Sequence, residues 1–160
     1  MSLSNLTSEL KKSWMNINVN SIGGVSGTFD PMITSLININ NVVNVNAQYF
    51  HLGNIVFAEI RFGCDIINTT PASGIEFAIT NLPVPKTSNF TGRHDASGVA
   101  SIQTGGVDIT SDSAGPTIKF NTVSGIVFGS LGTKNLDVLL GKPPAIANQG
   151  CSVFFSYSTD

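Results

Sequence analysis

The sequence predicts an all-β protein: an antiparallel β-sandwich, jelly-roll-like, preceded by a short N-terminal helix or neck. Three observations carry this. From Asn16 onward, apolar residues recur at every second position in many short runs, the period of a half-buried strand. Gly, Pro, Ser, Asn and Asp separate those runs at intervals of about 8–12 residues, the spacing of sandwiches and barrels. No amphipathic stretch long enough for a crossover helix follows Trp14, which argues against a parallel α/β sheet.

Composition narrows the function classes. Of 160 residues, 41% are hydrophobic and only 11% charged, with 16 glycines. The charged share is less than half the usual ~25%. Helical bundles and coiled coils, whose exposed faces need Glu, Lys and Arg, are excluded, as are highly charged disordered tails. A net charge of −2 gives no field for neutralising phosphates, so nucleic acid is not an expected partner. The length suits one domain with a core that needs neither metal nor disulfide. Residues 1–15 lack the apolar run of a signal peptide, and no stretch of ~18 apolar residues is present to span a bilayer.

The elements follow in order. Leu3, Leu6, Leu10 and Trp14 recur at steps of three and four, a helical stripe with Glu9, Lys11 and Lys12 off it. So short a helix must dock on the domain or on copies of itself. Asn16–Asn20 then alternates strictly, and Ser21–Gly27, with three glycines, reads as a loop or linker. This divides the chain into a neck and linker over 1–27 and a β-sandwich head over 28–160. Asp30-Pro31 is a turn signal. Ile33–Asn40 and Asn41–Phe50 are β-rich, with Asn38-Ile39-Asn40 and Asn44-Val45-Asn46 repeating the two-residue alternation.

The clearest hairpin runs from Gln48 to Phe62 around Gly53-Asn54, a pair suited to a tight antiparallel turn. In its second strand Val56, Ala58, Ile60 and Phe62 should face the core. Glu59 and Arg61 should face solvent or a neighbouring subunit. Further runs are Ile75–Thr80, Val99–Gln103, Val107–Thr110, Thr117–Asn121, Gly125–Gly129, Leu136–Leu140 and Cys151–Ser158. Phe154 and Phe155 are adjacent, so a strand must send them to opposite faces: one into the core, the other onto a second sheet or another subunit. Leu3, Leu6, Leu10, Trp14, Phe154 and Phe155 are therefore the candidate oligomer-interface residues.

Four segments, in order, carry a resemblance: Phe29-Asp30-Pro31, then Tyr49-Phe50-His51-Leu52-Gly53-Asn54-Ile55-Val56-Phe57, then Ile79-Thr80-Asn81-Leu82-Pro83, and the closing strand Val153-Phe154-Phe155-Ser156-Tyr157. Together they resemble the receptor-binding head domain at the tip of bacteriophage tail fibres and related virion spikes, over residues 28–160. The chain departs from that pattern at Asn81, where Gly is more usual before Leu-Pro, and at His51-Leu52, which replaces a basic pair. The resemblance implies a homotrimer of heads on a helical or fibrous neck at the virion surface. Its expected work is attachment, without catalysis, to a host-surface glycan or envelope component, alongside other virion proteins. A structural virion part (capsid decoration or minor spike) and a carbohydrate-binding module are the other readings.

The longest polar connection, Pro85–Gly98, carries Asn89, Phe90, Thr91, Arg93, His94 and Asp95. An aromatic flanked by amide, hydroxyl and charged groups can stack on a sugar and bond its hydroxyls, so these are the candidate ligand-binding residues. No catalytic residue is assigned. His94-Asp95 has no Gly-x-Ser-x-Gly elbow to serve, and Glu59 with Glu76 is only a permissive carboxylate pair. No metal or cofactor is expected: Asp108–Asp112 lacks the ligand run and closing Glu of a calcium loop. The Gly23-Gly24 and Gly105-Gly106 pairs precede no helix. Cys64 and Cys151 fit either two buried thiols or one disulfide.

Overall fold

The computed structural model describes residues 24–67, 74–112, 115–141 and 145–160, with residues 104–112 and 115–121 described by their backbone. Leu3, Leu6, Leu10, Trp14 and the run Asn16–Asn20 lie outside the described residues. The chain forms β1 (Val25–Thr28), β2 (Met32–Ile37), β3 (Ile39–Leu52), β4 (Ile55–Ile66), β5 (Ile75–Thr80), β6 (Ala96–Asp112), β7 (Gly115–Gly129), β8 (Leu136–Leu140) and β9 (Ile146–Ser158). A one-turn 3₁₀ helix, Arg93–Asp95, precedes β6. No α-helix occurs among the described residues.

All nine strands belong to one antiparallel sheet in the order β1-β3-β4-β9-β6-β7-β8-β5-β2. The all-β antiparallel class predicted from the sequence is what the chain adopts. The two expected layers are halves of this single curled sheet. Only Asn38 separates β2, at one edge, from β3, beside the other edge, so the chain itself draws the edges together. Phe62 on β4 meets Phe77 on β5 edge-to-face at 5.6 Å, although four strands separate them within the sheet. The inner face is the core.

Two-residue periodicity builds that core. In β4, Val56, Ala58, Ile60, Phe62, Cys64 and Ile66 are buried while their alternate neighbours face out. The same alternation buries Ile75, Phe77 and Ile79 in β5, Leu136, Val138 and Leu140 in β8, and Cys151, Val153, Phe155 and Tyr157 in β9. Each fully buried side chain of this size contributes about 1.5–3 kcal/mol. The β3–β4 hairpin turns at Gly53-Asn54 between Leu52 and Ile55. Gly53 alone of the pair has positive φ, at 62°, the pattern of a type II′ turn.

Three expectations need correction. Ser21–Gly27 is not all linker: Val25–Thr28 is strand β1, paired with His51–Gln48 of β3. Gly27 serves a close approach, because a Cβ there would lie 3.0 Å from the Tyr49 ring. The runs Val99–Gln103 and Val107–Thr110 are one strand, and so are Thr117–Asn121 and Gly125–Gly129, with a register shift between Gln103 and Val107. Finally, the asparagines of β3 do not simply alternate. Ser35, Asn38, Asn41 and Asn44 sit at φ of 54°, 60°, 49° and 53°, a left-handed residue at every third position. Register shifts fall between Thr34 and Ile37, Asn40 and Val43, and Val43 and Asn46. Asn tolerates this conformation better than other residues with a side chain, and bulges of this kind increase local bend and twist. This segment is where the sheet curls.

Candidate functional site

Four connections meet at one end of the sheet: the 53–54 turn, the 81–95 loop, the 130–135 loop and the last residues. Each is tied to the next. Thr159 N–H donates to Asn54 O at 2.8 Å and Thr87 N–H to Thr159 O at 2.9 Å. The Asn54 amide donates to the Asp160 carboxylate at 2.8 Å. Lys134 Nζ reaches Thr87 O at 3.2 Å, and the Asn89 amide reaches Gly132 O at 2.8 Å.

Two core residues anchor the long loop. The Tyr157 hydroxyl donates to Val84 O at 2.7 Å and accepts from Val84 N–H at 3.2 Å. Burial raises its pKa to about 12, with the Val84 hydrogen bond pulling down and Tyr49 pushing up. Lys86 is buried, which a lysine tolerates only when its ammonium is satisfied. Its Nζ donates to Ser158 O at 2.8 Å and to Asp160 O, and stands 5.1 Å from the centroid of the Phe90 ring.

The residues predicted for ligand binding divide here. Asn89, Thr91 and Asp95 line a small polar cleft of about 210 Å³, together with Lys86, Ser88, Ser158 and Asp160. Phe90 does not stand out to stack on a sugar. It is 1% exposed, packed edge-on to Tyr157 at 6.5 Å beneath the cleft. Its backbone is held by Thr133 O at 2.6 Å and by Gly132 N–H at 2.9 Å. Asp95 uses one carboxylate oxygen to accept from Thr91 N–H at 2.7 Å, Gly92 N–H at 3.0 Å and the Thr91 hydroxyl at 3.0 Å. These bonds hold its pKa below the usual value, Thr91 and Gly92 backbone first, with His94 adding a small pull. His94 is exposed, 3.5 Å from the other Asp95 oxygen. Arg93 points away, its guanidinium 4.8 Å over the Phe128 ring.

Sequence reading missed Lys86, Ser88, Ser158 and Asp160. The long sequence separation between residues 86–88 and 158–160 left no local signal that the two segments meet. Glu59 and Glu76 do not face each other. They lie on the outer faces of β4 and β5, strands whose inner faces meet across the core at Phe62 and Phe77, so the two side chains project away from each other. The carboxyl pairs of glycoside cleavage are about 5–9.5 Å apart. Cys64 and Cys151 are free and buried. Burial, then the nearby Asp65, pushes Cys64 to about 11. Burial, then Cys64, pushes Cys151 higher still, so both are poor thiolates. Among the described residues no group of His, Cys, Asp and Glu is arranged to hold a metal.

A wider depression lies elsewhere, on the outer face across β1, β3, β4, β9 and β6. It is a groove of about 760 Å³ whose lining includes Phe50, Phe57, Val99 and Phe154. Phe155 is core, at 4% exposure, and Phe154 opens onto this groove.

No protein-family model matches the chain, and no curated protein matches it. A solved structure of a reovirus attachment protein, sigma1, in complex with α-2,3-sialyllactose is similar in fold, with a TM-score of 0.47 and 11% identity, covering 87% of this chain and 68% of that one. Similarity at that level assigns no residue a role.

Proposed function

We propose that this chain is the head domain of a viral fibre or spike that attaches to a host-surface glycan without breaking bonds, and that it works as a homotrimer at the virion surface. The observation that supports it is the polar cleft between residues 86–95 and the chain end. Its lining residues include Ser88, Asn89, Thr91, Asp95, Ser158 and Asp160, whose side chains are hydroxyls, an amide and carboxylates. Sugars are recognised by converging hydroxyl, amide and carboxylate groups fixed on a stiff frame. The frame here is set by the buried Lys86 and Tyr157, so little ordering entropy opposes binding. The order of the four fibre-head-like segments supports the same reading.

The test is a glycan array with the full chain, followed by titration of any hit against Ser88→Trp. Ser88 is exposed and lines the cleft, so an indole there should block a ligand while leaving the core intact. At least a tenfold loss of affinity with an unchanged melting temperature is expected. Binding unaffected by Ser88→Trp would remove the cleft from the reading, and no binding to any surface polysaccharide would remove the glycan.

A further inference from the structure

We propose that the outer face of β4, β9, β6, β7 and β8 is the contact between neighbouring copies of this chain. The inference rests on the oligomeric part of the reading above and is independent of the glycan. The pairing register places outward residues in transverse rows. Phe154 lies opposite Glu59 of β4 and Val99 of β6, Val99 opposite Ile126 of β7, Ile126 opposite Leu139 of β8, and Leu139 opposite Glu76 of β5. The result is a ridge, Phe154–Val99–Ile126–Leu139, closed at each end by a carboxylate. These four residues are 47, 61, 56 and 40% exposed, and Phe57 beside them is 48% exposed.

Area argues for a large protein contact. Large side chains carry about 150–250 Å² each, so these five leave on the order of 400 Å² of apolar surface uncovered. A standard interface covers about 800 Å² per partner, some 55–65% of it apolar. The band alone supplies most of the apolar area that one such interface requires.

Shape and charge argue that the occupant is a second copy. The ridge runs beside a furrow of small hydroxyl residues on one side, where Ser152, Ser101 and Ser124 lie opposite one another, while on the other side Ser156 and Ser97 lie between Phe57 and Phe128. A ridge and a furrow side by side on one face let the ridge of one copy seat in the furrow of the next, a head-to-tail contact that closes as a ring around a threefold axis. The ends match in the same way. Glu59 at one end is ion-paired to Arg61, and near the other end Arg93, Glu76 and Asp137 border one depression. Contact of one end with the other sets Arg93 against Glu59 and Arg61 against Glu76. Neither a strongly acidic nor a strongly basic partner finds that match.

The test measures mass in solution for the full chain at micromolar concentration, by light scattering and sedimentation, with Val99→Lys, Ile126→Glu and the double variant. An oligomer that becomes a folded monomer in the variants is expected. An oligomer unchanged by them overturns this surface and leaves the oligomeric reading standing, and a monomeric wild type overturns both. Leu6→Asp/Leu10→Asp is measured in parallel. Dissociation by that pair while the outer-face variants stay assembled would place the contact in residues 1–23 instead. Should the face variants misfold, hydroxyl-radical footprinting of the wild type decides. Phe154, Ile126 and Leu139 should be protected at high concentration and oxidised on dilution, and their equal oxidation at both concentrations overturns the proposal. A dimer would keep the surface and sink the threefold arrangement.

Discussion

Replacing Tyr157 with Phe removes one oxygen and isolates what ties the long loop to the core. That hydroxyl satisfies both the N–H and the C=O of Val84, and nothing else in a phenyl ring can. A neutral hydrogen bond is worth a net ~0.5–1.5 kcal/mol, and a buried group left unpaired costs about 1–3 kcal/mol. Val84 is half-buried, so water recovers part of this. Tyr157→Phe should therefore destabilise by about 1–3 kcal/mol, a drop of roughly 2–12 °C in melting temperature for a domain of this size. The pH dependence supplies a second signature. The folded-state pKa is raised from 10 to about 12, so the native state favours the protonated phenol. The stability this contributes is fully present below pH 10 and is lost as pH rises from 10 through 12. The difference between wild type and variant should shrink across that window. Cys64 and Cys151 are common to both proteins and cancel in the comparison. Calorimetric or circular-dichroism melts at pH 7 and at steps from 9.5 to 12 measure both effects. A difference below ~0.5 kcal/mol at pH 7, or one that widens with pH, would refute the clamp.

Two further outcomes follow from the same geometry. Asp95→Asn should free the 91–95 turn, read as faster amide exchange at Thr91 and Gly92. Because the Asp95 pKa is lowered in the folded state, the support it gives is present above its ordinary value near 3.8 and fades as pH falls through the lower folded value, so wild type and variant should converge in acid. Asn44→Val puts a β-branched residue at φ 53° and should cost about 1–3 kcal/mol, while Asn44→Gly should be nearly neutral by the same melt. Equal melting temperatures for the two would contradict the left-handed geometry of β3.

What could be read from the sequence, and what could not, divides along the range of the forces involved. In β4 a side chain's face depends only on its parity, so the alternation alone assigns Val56, Ala58, Ile60 and Phe62 to the core. Gly53 announced its turn because few other residues adopt positive φ so readily. The split of Phe154 and Phe155 followed from adjacency. The asparagines from 38 to 44 misled for a local reason: Asn-Ile-Asn looks like alternation, yet Asn also stabilises the left-handed conformation, and the two tendencies compete. Only the three-residue spacing of Ser35, Asn38, Asn41 and Asn44 marked the outcome. Phe90 misled for a non-local reason. It lies in a polar loop, but Lys86 is anchored to Ser158 O of the closing strand and Tyr157, on that strand, holds Val84 of the loop, and the ring packs against both. Nothing near residue 90 in the sequence records that strand.

The scarcity of charge now has a place in the structure. Among the described residues the outer face carries a ridge of large apolar side chains flanked by serines, with Glu59 and Glu76 at its ends. The polar end is knit by amides, hydroxyls and backbone carbonyls, and its buried cation, Lys86, is directed at carbonyl oxygens and an aromatic ring rather than at a carboxylate. Surface ion pairs weaken as salt rises, whereas apolar contacts and neutral hydrogen bonds change little. A protein assembled through the first kind of contact would loosen whenever ionic strength changed. One assembled through the second keeps the same shape across media. The same choice explains why the strands could be read so easily: with few charges to place, nearly every polar position is an Asn, Ser or Thr, and the inward apolar residues stand out against them at a period of two.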